Sequence, residues 1–206
     1  MPLSIASFLV GETPQAAAQG AGRVPQSVLD QAEAATRAMG QQILQGNFKV
    51  ALERMYPRWK KRAAKKLQGG QVELARRLAE IPKEMTRQGI SMLNYEVRKP
   101  TSAHEVVLLR GEDKEGRPIN MYLEWLVFVP TRAEYRVIDP ETRLPRKIET
   151  LGFQVAVNKK GTPDWHFIDG RNCSIADLRS FFPGLPEDQK LLGLPEVGGG
   201  EIRRER

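Results

Sequence analysis

The residues suited to acid–base catalysis are few and lie in two places. Tyr122 and Glu124 alternate with a strongly apolar set along one predicted strand, and His166 and Asp169 lie at the end of another. A carboxylate or phenol whose pKa is shifted by burial in a cavity can transfer protons to and from a ligand. The plainer interpretation, which we favour, places Tyr122 and Glu124 on a solvated sheet face and makes Asp169 a turn or helix-cap carboxylate.

Motifs of the common metal, nucleotide and serine-hydrolase sites do not occur in the sequence. The histidines are His104 and His166, and His104-Glu105 is followed by Leu108 where a metalloprotease motif needs its second histidine. Cys173 is the single cysteine, so there is neither a zinc-ligand cluster nor an intrachain disulfide. Nucleophile elbow, phosphate loop and dinucleotide fingerprint are all missing. We therefore expect no metal and no cofactor.

Surplus positive charge is concentrated between residues 48 and 68. Eight basic residues stand there against Glu53 alone, a balance of +7 that equals the formal net charge of the chain. On a helix, five of them share one arc and would form an anion-binding face: Arg58, Lys61, Arg62, Lys65 and Lys66. Nucleic acid is a disfavoured partner, because no binding motif and no exposed aromatic beyond Trp59 accompanies the charges. The alternative, which we favour, is a solvated helix face.

Side-chain periodicity divides the chain into a helical first half and an extended second half. Apolar residues recur every three or four positions in segments that predict three helices: one at 25–43, a second from 48 that continues past Pro57 over 58–68, and a third at 71–88. Asn47 is predicted to cap the second helix, and Pro57 to interrupt that helix or begin the next. From residue 90 the period becomes 2, which predicts strands at 90–99, 104–110, 119–129, 147–158 and 164–168. A helical turn at 174–182 follows.

Three regions fall outside this regular pattern. Residues 130–146 are polar and interrupted by prolines, and we predict an insertion there with a short strand at 135–138. Residues 1–24 and 191–206 are predicted as tails around a single domain at 25–190. The first tail also resembles a signal peptide in its apolar run and its alanine triplet, but no basic residue precedes Arg23. Nowhere does an apolar run reach the length of a membrane-spanning helix.

Helices followed by antiparallel strands define an α+β fold rather than a parallel sheet with crossover helices. The large aromatic residues at periodic positions are predicted to fill the interface between helices and sheet. They are Trp59, Trp125, Trp165, Phe153 and Phe167.

Three stretches together resemble the bacterial nuclear-transport-factor-2-like (cystatin-like) superfamily of cone-shaped domains. The first is 46–57 with the glycines at 69–70 and the helix end at 87–90, and the second is the long strand 119–129. The third lies between 153 and 183 and combines F-Q-V-A-V, W-H-F-I-D-G and L-R-S-F-F-P, like the closing pattern of small, often exported, uncharacterised members. The resemblance implies N-terminal helices packed on a strongly curved antiparallel sheet, forming a cone whose open end holds a small ligand.

The resemblance leaves the function open, because the superfamily contains isomerases, cyclases, dehydratases, transport adaptors and proteins of no known activity. It first suggests a non-catalytic module that binds a small ligand or a partner, in the periplasm or secreted, with a cytoplasmic location as the alternative. A second copy would pair through an exposed sheet face around Leu126 and Phe128. The other interpretations are an isomerase- or dehydratase-type enzyme that uses the two candidate pairs, and an anion binder that uses the basic helix 58–66.

Overall fold

Helices come first along the chain and strands second, as the change of side-chain period predicts. The computed structural model describes residues 24–112, 114–139 and 141–186. The predicted tails at 1–24 and 191–206 lie outside these ranges, apart from residue 24. Export therefore stays a prediction, because the residues that would direct it are not described.

Four helices form the first half of the described chain. They are α1 (Gln26–Leu44), α2 (Lys49–Glu53), α3 (Pro57–Lys65) and α4 (Gly70–Arg87). Pro57 begins α3 at the first helical position, where its missing N–H leaves no bond unmade. The predicted Asn47 cap is wrong, because α2 begins two residues later and Phe48 takes the capping position without a side-chain bond. Asn47 instead donates its side-chain amide to Gln42 Oε1 at 3.0 Å.

Five antiparallel strands form one curved sheet that does not close into a barrel. They are β1 (Ser91–Val97), β2 (Ser102–Glu112), β3 (Pro118–Ile138), β4 (Pro145–Lys159) and β5 (Trp165–Asp169). β3 is central: β1 and β2 pair with different halves of one of its edges, and β4 pairs along the other. β5 follows β4, and a 3₁₀ turn (Gly170–Asn172) and α5 (Ile175–Phe181) come last. The α+β class is confirmed.

The predicted insertion at 130–146 is wrong, because β3 runs through its first half. Residues alternate between faces there as they do earlier, with Ala133 buried and Arg132 on the other side. The polar side chains pair with one another across strands: Arg132 lies 3.3 Å from Glu96 of β1 and 2.7 Å from Glu149 of β4. Because these charged residues form ion pairs across strands on a solvated face, this part of β3 is as polar in sequence as a loop.

Helices cover part of each face of the sheet, and each face carries its own core. On the α1 face, Val127 and Val129 pack with residues of α1 and α2. On the α5 face, Leu126 and Phe128 pack with Leu178 and other residues of α5. The expectation of an exposed apolar surface around Leu126 and Phe128 is wrong, since the two residues are 0% and 1% exposed.

The aromatic residues occupy the cores as predicted. Phe153 is buried in the α5-face core, and Trp165 and Phe167 are buried in the α1-face core. Trp59 and Trp125 are half-buried and pack against these cores from their margins.

The segment between α2 and α3 lies alongside β5 and completes that edge of the sheet. Tyr56 N donates to Phe167 O at 2.9 Å, and Phe167 N donates to Arg54 O at 2.7 Å. Met55 forms the parallel bridge with Phe167. The edge of β5 is therefore partly covered by the chain itself.

α1 packs on β1 at Gly40, which is buried in the helix. A Cβ atom at Gly40 would stand 2.0 Å from Cδ1 of the Tyr95 ring. The missing side chain therefore lets the ring lie directly on the helix backbone.

We expect Gly40→Ala to lower the free energy of unfolding by about 1–3 kcal/mol, because the new methyl group overlaps a buried ring. An unhindered helical glycine would show the opposite sign, since alanine is the better helix former. Urea unfolding measures the difference. Gly184→Ala is the control, because a Cβ there meets nothing within 4 Å; equal stability of Gly40→Ala and the wild type would contradict the close contact.

Candidate functional site

A cavity of about 430 Å³ lies between the helices and one half of the α1 face. Its floor is the part of the sheet around residues 131–135 of β3 and 150–154 of β4. Its other walls come from α1, α2, α4, the segment before α3, and Trp59. The volume falls in the range of small-molecule sites, and the place is where the strand faces meet the helices.

Methionine dominates the apolar part of the cavity. The chain has six methionines, and four of them line this one space: Met39, Met55, Met85 and Met92. They come from α1, the segment before α3, α4 and β1. Because methionine is unbranched and polarizable, such a lining adapts to the shape of what it contacts.

α4 forms the outer wall without closing it. The helix packs mainly on α3 and α2 rather than on the sheet. Its apolar stripe therefore turns toward the cavity, where Leu78 and Met85 are half-buried and Ile81 is 41% exposed. An amphipathic helix normally buries this stripe, so the wall leaves apolar surface available to a ligand.

Polar groups gather where β5 meets the 3₁₀ turn. Asp169 Oδ1 accepts a bond from the backbone N–H of Arg171 at 3.2 Å, and Asp169 Oδ2 accepts one from the Asn172 side chain at 2.7 Å. Asp169 therefore caps the turn, which is its plainer sequence interpretation. Arg171 and Asn172 line the cavity beside it, as does Gln154 of β4.

Tyr95 forms the wall between this polar group and α1. Burial raises the pKa of its phenol to about 12, with the Asp169 charge acting in the same direction. The hydroxyl therefore stays neutral at every physiological pH.

The structure separates the predicted catalytic residues. Glu124 lies on the α5 face, where its carboxylate accepts a bond from Tyr56 Oη at 3.1 Å. His166 lies opposite Val157 and so shares the α5 face, whereas Asp169 lines the cavity on the α1 face. His166 and Asp169 cannot act together, because residues three apart on a strand point to opposite faces. The side chain of Tyr122 lies outside the described part of the chain.

Tyr56 is the buried partner that the sequence does not reveal. Its ring packs against Phe181 and Phe182, with centroids 6.4 and 5.5 Å away. Burial, and then the charge of Glu124, raises the pKa of Tyr56 to about 12. The Glu124 carboxylate therefore has a structural role: it accepts the hydrogen bond of Tyr56 at the edge of the α5-face core.

The basic residues of α3 divide into two groups. Arg58 donates to the backbone oxygen of Phe181 at 2.7 Å, and Arg62 lies 2.6 Å from Asp177 Oδ1. Both guanidinium groups also lie 5.4 Å from the centre of the Phe181 ring. Lys61, Lys65 and Lys66 are exposed and make no ion pair with any other described residue. The arginines therefore fasten α3 to α5, and only the lysines form a solvated face.

Several lining residues escaped the sequence reasoning. Met39, Met55 and Met85 fit the apolar stripes of helices, so each reads as a core residue. Arg171 and Asn172 follow Asp169 in a turn and carry no recognisable spacing. Four of the six methionines come from separate elements and meet at this one cavity. Only the tertiary structure brings them together, so the sequence alone carries no signal for them.

Comparison of the chain with known protein families, with curated proteins and with solved structures gives no match. The likeness to the nuclear-transport-factor-2-like superfamily therefore stays a prediction. Within residues 24–112, 114–139 and 141–186, no three His, Cys, Asp or Glu side chains are grouped so as to hold a metal ion. The helices of these same ranges include none with both the length and the apolar character needed to cross a bilayer.

The raised pKa of Tyr56 predicts a loss of stability in alkali. The folded state favours the neutral phenol, so this stabilisation is complete below pH 10 and is lost as the pH rises toward 12. By pH 11 the wild type should have lost about 1 kcal/mol relative to Tyr56→Phe. Urea unfolding of both proteins at pH 8, 10 and 11 measures this. If the free energies of unfolding of the two proteins change with pH in parallel, the pKa of Tyr56 is not raised.

The division of α3 predicts unequal effects of removing two neighbouring cations. Arg62→Ala should lower the free energy of unfolding by about 1–2 kcal/mol, because it removes the ion pair to Asp177 and the bond to Ser180 Oγ at 2.8 Å. Lys65→Ala should change it by less than about 0.5 kcal/mol. Thermal or urea unfolding compares the pair, and equal losses would contradict the proposed fastening.

Proposed function

We propose that this protein is a non-catalytic module that binds a small apolar ligand in the cavity between its helices and its sheet. The observation that carries the proposal is the cavity of about 430 Å³ with four methionines in its walls. Protein interiors are close-packed, so a space as large as this cavity is normally filled by the protein's own side chains. Space that is kept open and lined by adaptable apolar groups is typical of a binding site.

The exposed apolar surface around the opening supports this function. Ile81 of α4, a lining residue, is 41% exposed. A ligand in the cavity would remove this surface and the methionine side chains from water. Each square ångström of apolar surface removed contributes about 25 cal/mol, so binding needs no strong polar contact.

The arrangement of acids and bases supports binding rather than catalysis. Proton transfer to a ligand needs an acid–base pair that faces it. Asp169 is the one carboxylate among the described lining residues, and both of its oxygens accept bonds that cap the 3₁₀ turn. Glu124 and His166 lie on the opposite face of the sheet. The resemblance to a superfamily of ligand-holding cones agrees with this proposal.

Filling the cavity should abolish binding of an apolar probe. N-phenyl-1-naphthylamine is uncharged and gains fluorescence in an apolar site. We expect the wild type to bind it, and Ala51→Trp to weaken binding at least about tenfold, because Ala51 lines the cavity and the indole ring would occupy it. Ala79→Trp, an exposed position on α4 outside the lining, should bind the probe like the wild type.

Circular dichroism and unfolding midpoints must first show that both tryptophan variants are folded. If Ala51→Trp does not fold, Leu78→Trp fills the same cavity from α4. A wild-type protein that does not bind the probe would contradict the proposal. So would binding that the two tryptophan variants affect equally.

A further inference from the structure

Arg171 stands at the polar end of the cavity with its guanidinium group uncommitted. Its side chain is 50% exposed, and its one ionic contact is loose, with Nε 3.9 Å from Asp169 Oδ1. Within the described part of the chain the guanidinium makes no hydrogen bond; the short contact to Asp169 comes from the backbone N–H. This contrasts with Arg58 and Arg62, which both bind α5.

The backbone around Arg171 positions it against the cavity wall. Asp169 holds the residue through its main chain, so the side chain is left free. The stem of Arg171 crosses β4 at Gly152, where a Cβ atom would stand only 3.5 Å from Arg171 Cγ. The turn itself lies tightly on the sheet, since a Cβ atom at Gly170 would overlap the Phe153 ring at 2.4 Å. Gly170 and the capping carboxylate of Asp169 thus fix the backbone from which the Arg171 side chain extends along Gly152.

The local charges favour an anionic group over a cationic one. Both Asp169 oxygens already accept bonds, whereas the guanidinium nitrogens of Arg171 have donors to offer. A guanidinium presents its donors in a planar fork that matches the two oxygens of a carboxylate. A phosphate carries more negative charge than a carboxylate and would need a second cation beside Arg171. The residue in that place is the acidic Asp169.

We propose that the ligand is an amphipathic carboxylate, whose apolar body fills the methionine-lined cavity and whose carboxylate binds Arg171. This inference rests on the proposed function, and it adds the chemical class of the ligand and the residue that selects it. The apolar body would supply most of the affinity, and Arg171 would discriminate the acid from a neutral molecule of the same length.

Competition with N-phenyl-1-naphthylamine tests the proposal with two matched probes, decanoate and decan-1-ol. Arg171→Gln should weaken decanoate binding about tenfold and leave decan-1-ol binding within about twofold. Salt should weaken decanoate binding to the wild type and have little effect in Arg171→Gln. The control is Arg110→Gln, an exposed arginine of β2 outside the cavity lining, which should alter neither affinity.

Equal decanoate affinity in Arg171→Gln and the wild type would overturn the carboxylate assignment. So would a wild type that binds decan-1-ol and the fluorescent probe but not decanoate. Failure of the wild type to bind the fluorescent probe or decan-1-ol would instead overturn the proposed function, so the two failures are distinct. If Arg171→Gln is destabilised, Arg171→Lys keeps the charge without the fork and should lose only part of the preference for decanoate.

Discussion

The pairing of β3 along both of its edges is the constraint on which the rest of the structure depends. This strand spans 21 residues, and it meets β1 and β2 on one side and β4 on the other. Since helices cover both faces, residues 126–129 are all buried, and no side chain there can be exchanged for a polar one without leaving an unsatisfied group. The positions of α1 and α5 follow from which face of this strand each covers.

The cavity exists because the covering of the α1 face is uneven. α1 packs on the half of the sheet that carries Val127 and Val129, where the side chains interlock. Over the other half, β3 and β4 present small side chains, Ala133 and Gly152, and α4 packs on neighbouring helices instead of on these strands. Small residues below and a helix held at a distance above leave a volume that the chain does not fill.

The sequence predicted the parts of the fold that depend on local pattern. The change of period near Ile90, the helical segments before it and the strands after it follow from the spacing of apolar residues. It failed where a distant partner decides the outcome. Arg132 made a strand look like a loop because its partners Glu96 and Glu149 come from two other strands. Glu124 looked available for catalysis because Tyr56, which binds it, lies 68 residues earlier.

The segment between α2 and α3, which lies beside β5, links the packing on the two faces of the sheet. Met55 contributes to the cavity wall, and the next residue, Tyr56, enters the core of the opposite face. The two main-chain bonds to Phe167, made by Arg54 and Tyr56, hold Met55 between them at one point of the edge strand. A displacement of Met55 would have to stretch these bonds or disturb the packing around Tyr56. For the proposed ligand binding, adaptation to differently shaped ligands would therefore come from rotation about the methionine side-chain bonds and from α4, while this corner stays rigid.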